Sequence, residues 1–494
     1  MKRILSVLVP VFLIAQSLYG QANLYWRTDG TTGGTWSSAF WNLNTANATG
    51  GTGWTSGANA FFTDNSTLTF ATNAVSDITV SANKTVTITA GGTLSLGTVR
   101  TFDIGSGALL DWRSQSVTAN SAAGITKNGS GTLRLDALTF STNMNGGFTL
   151  NNGTVSVSGD KALGNGSLTI NGGTLQSSGT RAFVVSGITI GGDFTFSGTG
   201  NATFNTTVGL GSAIRTITNA QSSGSLIFSG TVSGGAGGGL TLSGTGSTTL
   251  IGTNTYSGGT TVSAGTLTAG NNTALGSGAV SVTGGSLTLN SGITLNNAIN
   301  VGASGRINGN AVSSTLGGTI SGTGTLGGSL TVSGTLSPGN SPGIMTIDGN
   351  LTLGSAAIYQ WELANLSTSG AGTNFDQISL SSSGSLAINA GATLAPVFGA
   401  SLAPNEGNSF WNTNRSWAVV QNNGSGTITG SFLINNSPWS NGTFSFNSSN
   451  SQVTLDWTAA AVPEPSTYAV LFGIATLVFV ALRQRAHKVP PAAV

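Results

Sequence analysis

The chain contains no cysteine and one histidine, His487, close to its C-terminal end. Without cysteine there can be no disulfide, no thiolate metal ligand and no cysteine nucleophile. With its only imidazole at the far end, the body holds no Ser-His-Asp triad, no histidine base and no histidine metal ligand. Charge is also scarce. Only 6% of the residues are charged, against about a quarter in an ordinary domain, and none lies between Thr216 and Gly305. The pI near 9.0 reflects the termini, where Lys2, Arg3, Arg483, Arg485 and Lys488 lie. Residues 23–462 carry 11 basic against 13 acidic side chains. Nucleic-acid binding needs clustered Lys and Arg to displace counterions, so that partner class is excluded. The Gly-rich run Gly234–Gly239 has no Gly-Lys-Ser/Thr after it and is not a phosphate loop. The calcium-binding pattern G-G-x-G-x-D is absent. No cofactor or metal is expected.

What fills the chain instead is glycine, 76 residues of it, with Ser, Thr and Asn. The apolar fraction of 38% is too high for disorder, which pairs low hydrophobicity with high net charge. Apolar residues alternate with Thr and Ser, as half-buried strands require. A repeat underlies the alternation. Residues 146–175 align without gaps on 258–287, with 12 identities in 30 positions. Within each copy a Gly-Thr-Leu-like triad returns after 20 residues: Gly153-Thr154-Val155 with Gly173-Thr174-Leu175, and Gly265-Thr266-Leu267 with Gly285-Ser286-Leu287.

Glycine turns, a short alternating strand and another glycine turn make one coil of a β-solenoid. One coil cannot bury its apolar face, but a stack can. The beat predicts that Val155 stacks on Leu175 and Leu267 on Leu287. Like charges stacked at the strand spacing of ~4.8 Å would repel, which accounts for their rarity.

Asn254-Thr255-Tyr256-Ser257-Gly258-Gly259-Thr260-Thr261-Val262, then Ala264-Gly265-Thr266-Leu267 and Ala274-Leu275-Gly276-Ser277-Gly278, resemble the autotransporter-associated β-strand repeat. The first copy departs from it at Asn143-Met144-Asn145. The resemblance implies a passenger-type right-handed parallel β-helix and no particular activity. The fold class expected is all-β: a solenoid body over 65–344, a β-rich C-terminal module over 345–458, and one C-terminal transmembrane helix.

The two ends read as addresses. Lys2 and Arg3 before the apolar run Ile4–Ala15, with small residues at Gly20 and Ala22, form a secretory signal over 1–22, for a signal peptidase to remove. At the other end (459–494), Val462-Pro463-Glu464-Pro465-Ser466-Thr467 precedes the uncharged run 468–482, expected as a membrane helix. Arg483, Arg485 and Lys488 follow as a basic stop that stays in the cytoplasm. These three parts in this order resemble the PEP-CTERM sorting signal of Gram-negative bacteria. The resemblance implies an exosortase-like membrane protease that cuts near Val462–Pro465, a transient inner-membrane anchor and a final place at the cell surface or outside it.

Trp26, Trp36, Trp41 and Trp54 crowd residues 23–64. Buried, they cap the open end of the stack; exposed, they offer faces on which sugar rings stack. The carboxylate pairs that a glycosidase would need are Asp103 with Asp111, Asp136 with Asp160, and Glu362 with Asp376. Isolated turn aspartates are the commoner reason for such residues. The expected function is a non-catalytic structural or adhesive surface protein, with exopolysaccharide as a partner class. The alternative is a polysaccharide-acting β-helix enzyme, a lyase or glycosidase, or a carbohydrate-binding surface protein.

Overall fold

A computed structural model describes residues 23–26, 33–35, 41–42, 58–69, 73–89, 94–113, 116–119, 122–136, 139–140, 144–310, 312–339, 341–461 and 465–486. The signal over 1–22, together with Trp36, Trp54, Val462, Pro463, Glu464 and Lys488, lies outside the described residues.

The body is a parallel β-solenoid. Strands of two to ten residues with alternating burial, such as Thr154–Val157 and Ser286–Leu289, pair with their counterparts one turn along. Val155 lies in register with Leu175, and Leu267 with Leu287, all buried. The 20-residue beat is thus one turn, and its apolar position is the inward one.

The strands gather into long walls. The first runs in parallel from Asn23–Trp26 to Val232–Ser233, and Trp41–Asn42 closes its outer edge in antiparallel. The second wall is a ladder from Gly33–Thr35 to Thr393–Phe398. A four-stranded sheet from Asn73–Ala74 to Thr139–Phe140 and a 17-stranded sheet beginning at Arg181–Phe183 complete the described sheets. Parallel stacking continues past residue 345 through Thr393–Phe398, Arg415–Asn422 and Ile428–Gly430. Then the pairing reverses: Gln452–Ala459 runs antiparallel to both Arg415–Asn422 and Gly442–Ser448. An antiparallel hairpin thus covers the ladder at Arg415–Asn422, where a parallel edge would otherwise stand open. Trp361, Trp411, Trp417 and Trp457 are buried there and pack in a chain, Trp361 edge-on to Trp417 and Trp411 edge-on to Trp457 with ring centroids 5.2 Å apart.

The internal repeat has a packing cause. In the second copy Tyr256 is fully buried, and its hydroxyl shares a 2.7 Å hydrogen bond with the hydroxyl of Thr260. The turn Ala274-Leu275-Gly276 closes over it. Burial pushes the Tyr256 hydroxyl well above its ordinary pKa. In the first copy Met144 takes the tyrosine's place under Gly164, where a β-carbon would stand 2.6 Å from its Cε. Phe148 occupies the place of Thr260, and both first-copy residues are buried. A smaller residue paired with a larger one fills the same space. Where the first wall stops, Asn254 takes over its hydrogen bonding. Its Oδ1 accepts from the Val232 N–H at 2.7 Å, and its Nδ2 donates to the Ala274 carbonyl at 2.6 Å.

Candidate functional site

The C-terminal signal is built on a helix, Pro465–Ala486, with Arg483 and Arg485 in its last turn. Proline suits a first helical position, where its missing N–H costs nothing. Arginines suit the last turn, where the carbonyl ends of the helix face outward. From residue 469 to 485 every side chain is exposed, Phe472 at 74% and Leu477 at 71%. An apolar helix held off the body in this way stays available to another component.

The expected membrane span needs correction. Among the described residues no helix is long and apolar enough to cross a membrane. The reason is length: the uncharged run from Tyr468 to Leu482 has fifteen residues, against the roughly 20 that a bilayer requires. Arg483 and Arg485 then close it.

The expected carboxylate pairs have structural occupations. Asp103 is exposed on the first wall, whereas Asp111 is buried on the second, so these two do not form a pair. Asp136 accepts a 2.5 Å hydrogen bond from the Ser158 hydroxyl, and Asp160 accepts one from the Ala182 N–H at 3.3 Å. Glu362 and Asp376 do meet, through the backbone. The Asp376 carboxylate accepts from the N–H groups of Gly343 at 2.7 Å and Glu362 at 3.0 Å, while its own N–H donates to the Glu362 carbonyl at 2.9 Å. Burial, and then the nearby Glu362 charge, push the Asp376 carboxyl up to about 7. With only 1% of its surface exposed, it fastens the turn at Gly343 and cannot reach a substrate. The Glu362 carboxylate in turn accepts from the Ser341 hydroxyl at 2.9 Å.

Trp26 is 1% exposed, so no sugar ring can stack on it. Its strand pairs with the one that carries Trp41, the two residues directly opposite. Trp26 is thus buried on the strand next to the first wall's outer edge. Among the described residues of this region, the aromatic rings that face outward are Tyr25 and Phe61, half-buried and stacked with centroids 4.8 Å apart. Strand alternation held the signal: in Leu24-Tyr25-Trp26 the middle residue must point opposite to its neighbours.

Two charged clusters escaped sequence reasoning. On the second wall Asp111 lies opposite Arg134, and Arg113 opposite Asp136. Asp111 bridges to Arg113 at 2.6 Å and to Arg134 at 3.3 Å, so opposite charges alternate both along and across the strands. The hydrogen bond and charge of Asp111 raise the Arg113 pKa further. Lys127 points inward and is fully buried. Its ammonium donates to the carbonyls of Asn128 at 2.5 Å, Gly129 at 2.8 Å and Asn152 at 3.3 Å. Burial lowers its pKa to about 8, against the opposing pull of Asp103. Among the described residues no group of three or more His, Cys, Asp or Glu side chains is placed to hold a metal ion.

Compared with curated proteins, the chain has no match. The PEP-CTERM protein-sorting motif matches residues 461–486, from the end of the last body strand through the exposed helix. That motif implies an exported protein, sorted by an exosortase to the cell envelope or surface.

Proposed function

We propose that this chain is a non-catalytic structural or adhesive protein of the Gram-negative cell surface or extracellular matrix. A signal peptide over residues 1–22 starts export. The C-terminal helix then holds the protein briefly at the inner membrane until an exosortase cuts near Val462–Pro465. The single observation carrying this reading is the sorting motif on a fully exposed apolar helix, directly after a long, almost uncharged β-wall. We read the two aligned blocks as copies of the autotransporter-associated β-strand repeat in a right-handed coil. The equivalent seating of Met144 and Tyr256 beneath matching glycines supports this.

Mass spectrometry of the two ends of the mature protein tests the route. The expected product begins after Gly20 or Ala22 and lacks everything beyond the Pro-Glu-Pro region. Replacing Pro463, Glu464 and Pro465 together by Ala leaves the uncut form with the inner membrane. Surface protein that retains Arg483–Val494 would refute sorting by cleavage. The non-catalytic reading is checked by incubating the purified body with pectin and alginate, with and without Ca²⁺. Turnover abolished by Asp136→Ala or Asp376→Asn would favour the enzyme alternative.

A further inference from the structure

The outer face of the first wall carries two straight columns of side chains, polar except for an aromatic pair at one end. Thr101, Thr126, Thr149, Thr169 and Thr189 stand in register on successive turns. Two residues further along the same strands, Tyr25, Phe61, Thr79, Asp103 and Asn128 make a second column. Asn151 and Asn171 extend it as a hydrogen-bonded ladder: Asn151 Nδ2 donates to Asn128 Oδ1, and Asn171 Nδ2 to Asn151 Oδ1, each at 2.8 Å. The sequence writes this as Thr126-Lys127-Asn128, Thr149-Leu150-Asn151 and Thr169-Ile170-Asn171. The middle residue is inward and buried each time. The ladder ends at Gly191, which stands against the Asn171 Oδ1.

We propose that this face binds a neutral, extended polysaccharide laid along the solenoid axis; the proposal rests on the surface or matrix role given above. The Tyr25 and Phe61 rings stack on one another, covering one face of each, and their remaining apolar surface can meet the C–H groups of a pyranose at one end. Beyond them, Asn151 and Asn171 each use one amide hydrogen on the preceding asparagine and keep a second for an outside acceptor. The threonine hydroxyls, which can donate and accept, stand beside them at the same interval. From Tyr25 to Asn171 the column has seven levels, six steps apart, or about 29 Å at ~4.8 Å per step. A β-1,4-linked glycan has a ring step close to that spacing, so six or seven rings span the strip. Charge selects the class of polymer. Among the described residues the ionised side chains on this strip are Asp103 and, one turn before Thr101, Asp77, whose carboxylate accepts from the Thr101 N–H at 2.8 Å; Lys127 behind them is buried. An anionic uronate chain would meet these carboxylates with no exposed cation in the columns to offset them.

The test is native affinity electrophoresis of the full chain in gels containing hydroxyethylcellulose or alginate, with titration by cellohexaose and cellobiose. Hydroxyethylcellulose should retard the protein equally at low and high salt, since no ion pair is involved. Cellohexaose should bind more tightly than cellobiose. Phe61→Ala and Asn151→Ala, both outward positions, should each weaken binding about tenfold with circular dichroism unchanged. Thr261→Ala on the second wall should bind like the wild type. The proposal falls if alginate retards the protein as strongly as hydroxyethylcellulose, or if neither does. It falls equally if both first-wall variants bind like the wild type. The mature ends and cellular location are read separately, so a correctly trimmed surface protein without glycan affinity sinks this strip alone.

Discussion

Gly276 lies so close over Tyr256 that a β-carbon on the glycine would stand 2.9 Å from the ring and closer still to the tyrosine's carbonyl oxygen. Its φ is +65°. Two costs therefore meet at one position: a left-handed backbone, worth about 1–2 kcal/mol to a residue with a β-carbon, and a clash with backbone that cannot swing away. Gly292 shares the first cost alone, with a φ of +73° and open space around it.

The comparison gives the first prediction. Gly276→Ala should destabilise the repeat by about 3–5 kcal/mol and Gly292→Ala by about 1 kcal/mol. A long stack need not unfold as one unit. Amide hydrogen exchange in Thr260–Val262 and Val280–Val282 is therefore the appropriate measurement. Equal loss of protection in the two variants would contradict the packing account.

Two buried ionisable groups predict opposite pH slopes. Asp376 is raised to about 7, so between pH ~4 and ~7 the folded chain holds a proton that the unfolded chain has released. Stability from this group falls as pH rises through that window, by up to about 4 kcal/mol. Lys127 is lowered to about 8, so between pH ~8 and ~10.5 the unfolded chain holds the extra proton. Stability there rises with pH. Urea midpoints across pH should lose the lower slope in Asp376→Asn and the upper slope in Lys127→Met. Lys127→Met should also lower stability at neutral pH by about 1–3 kcal/mol, because three carbonyls lose their donor.

Arg306 reaches Asp348 at 2.9 Å by laying its guanidinium over Gly327, which stands between Asn308 and Asp348 in the ladder. A β-carbon there would collide with the guanidinium. Hydrogen bonds from Ser381, Arg306 and Ser383 hold the Asp348 carboxyl below its usual range. Gly327→Ala should let the carboxyl titrate nearer its ordinary value, visible by NMR. Both partners are about one-third exposed, so the stability cost should stay under about 1 kcal/mol. A low pKa retained in the variant would show that the serines suffice.

How much of this was legible depends on what repeats. The stacking of Val155 on Leu175 and of Leu267 on Leu287 could be read because the Gly-Thr-Leu triad marks the same point of each turn. The Thr and Asn columns were hidden by uneven spacing: Thr101 to Thr126 is 25 residues and Thr149 to Thr169 is 20, since the turns between walls differ in length. Alternation places Lys127 inward beside Ile125, but the carbonyls that receive its ammonium come partly from the next turn. The chemistry of the C-terminal signal was plain because it is local, whereas its length falls short of a span. Asp376 joined Glu362 only through a turn that no spacing rule predicts.

The last prediction concerns the exchange of Met144 with Phe148 for Tyr256 with Thr260. The two pairs fill equivalent places, a slim flexible side chain with a bulky ring in one copy, a ring with a small hydroxyl residue in the other. Met144→Tyr alone should be costly, about 2–4 kcal/mol, because Phe148 already fills the space and gives the new phenol no partner. Phe148→Thr alone should cost about as much by leaving a cavity and an orphaned hydroxyl. Together they recreate the 2.7 Å hydrogen bond of Tyr256 with Thr260. The double variant should recover about 2 kcal/mol relative to the sum of the singles. Thermal and urea unfolding of the four proteins complete the cycle. A double variant whose loss equals that sum would mean that the two blocks share a sequence pattern without sharing a packing solution.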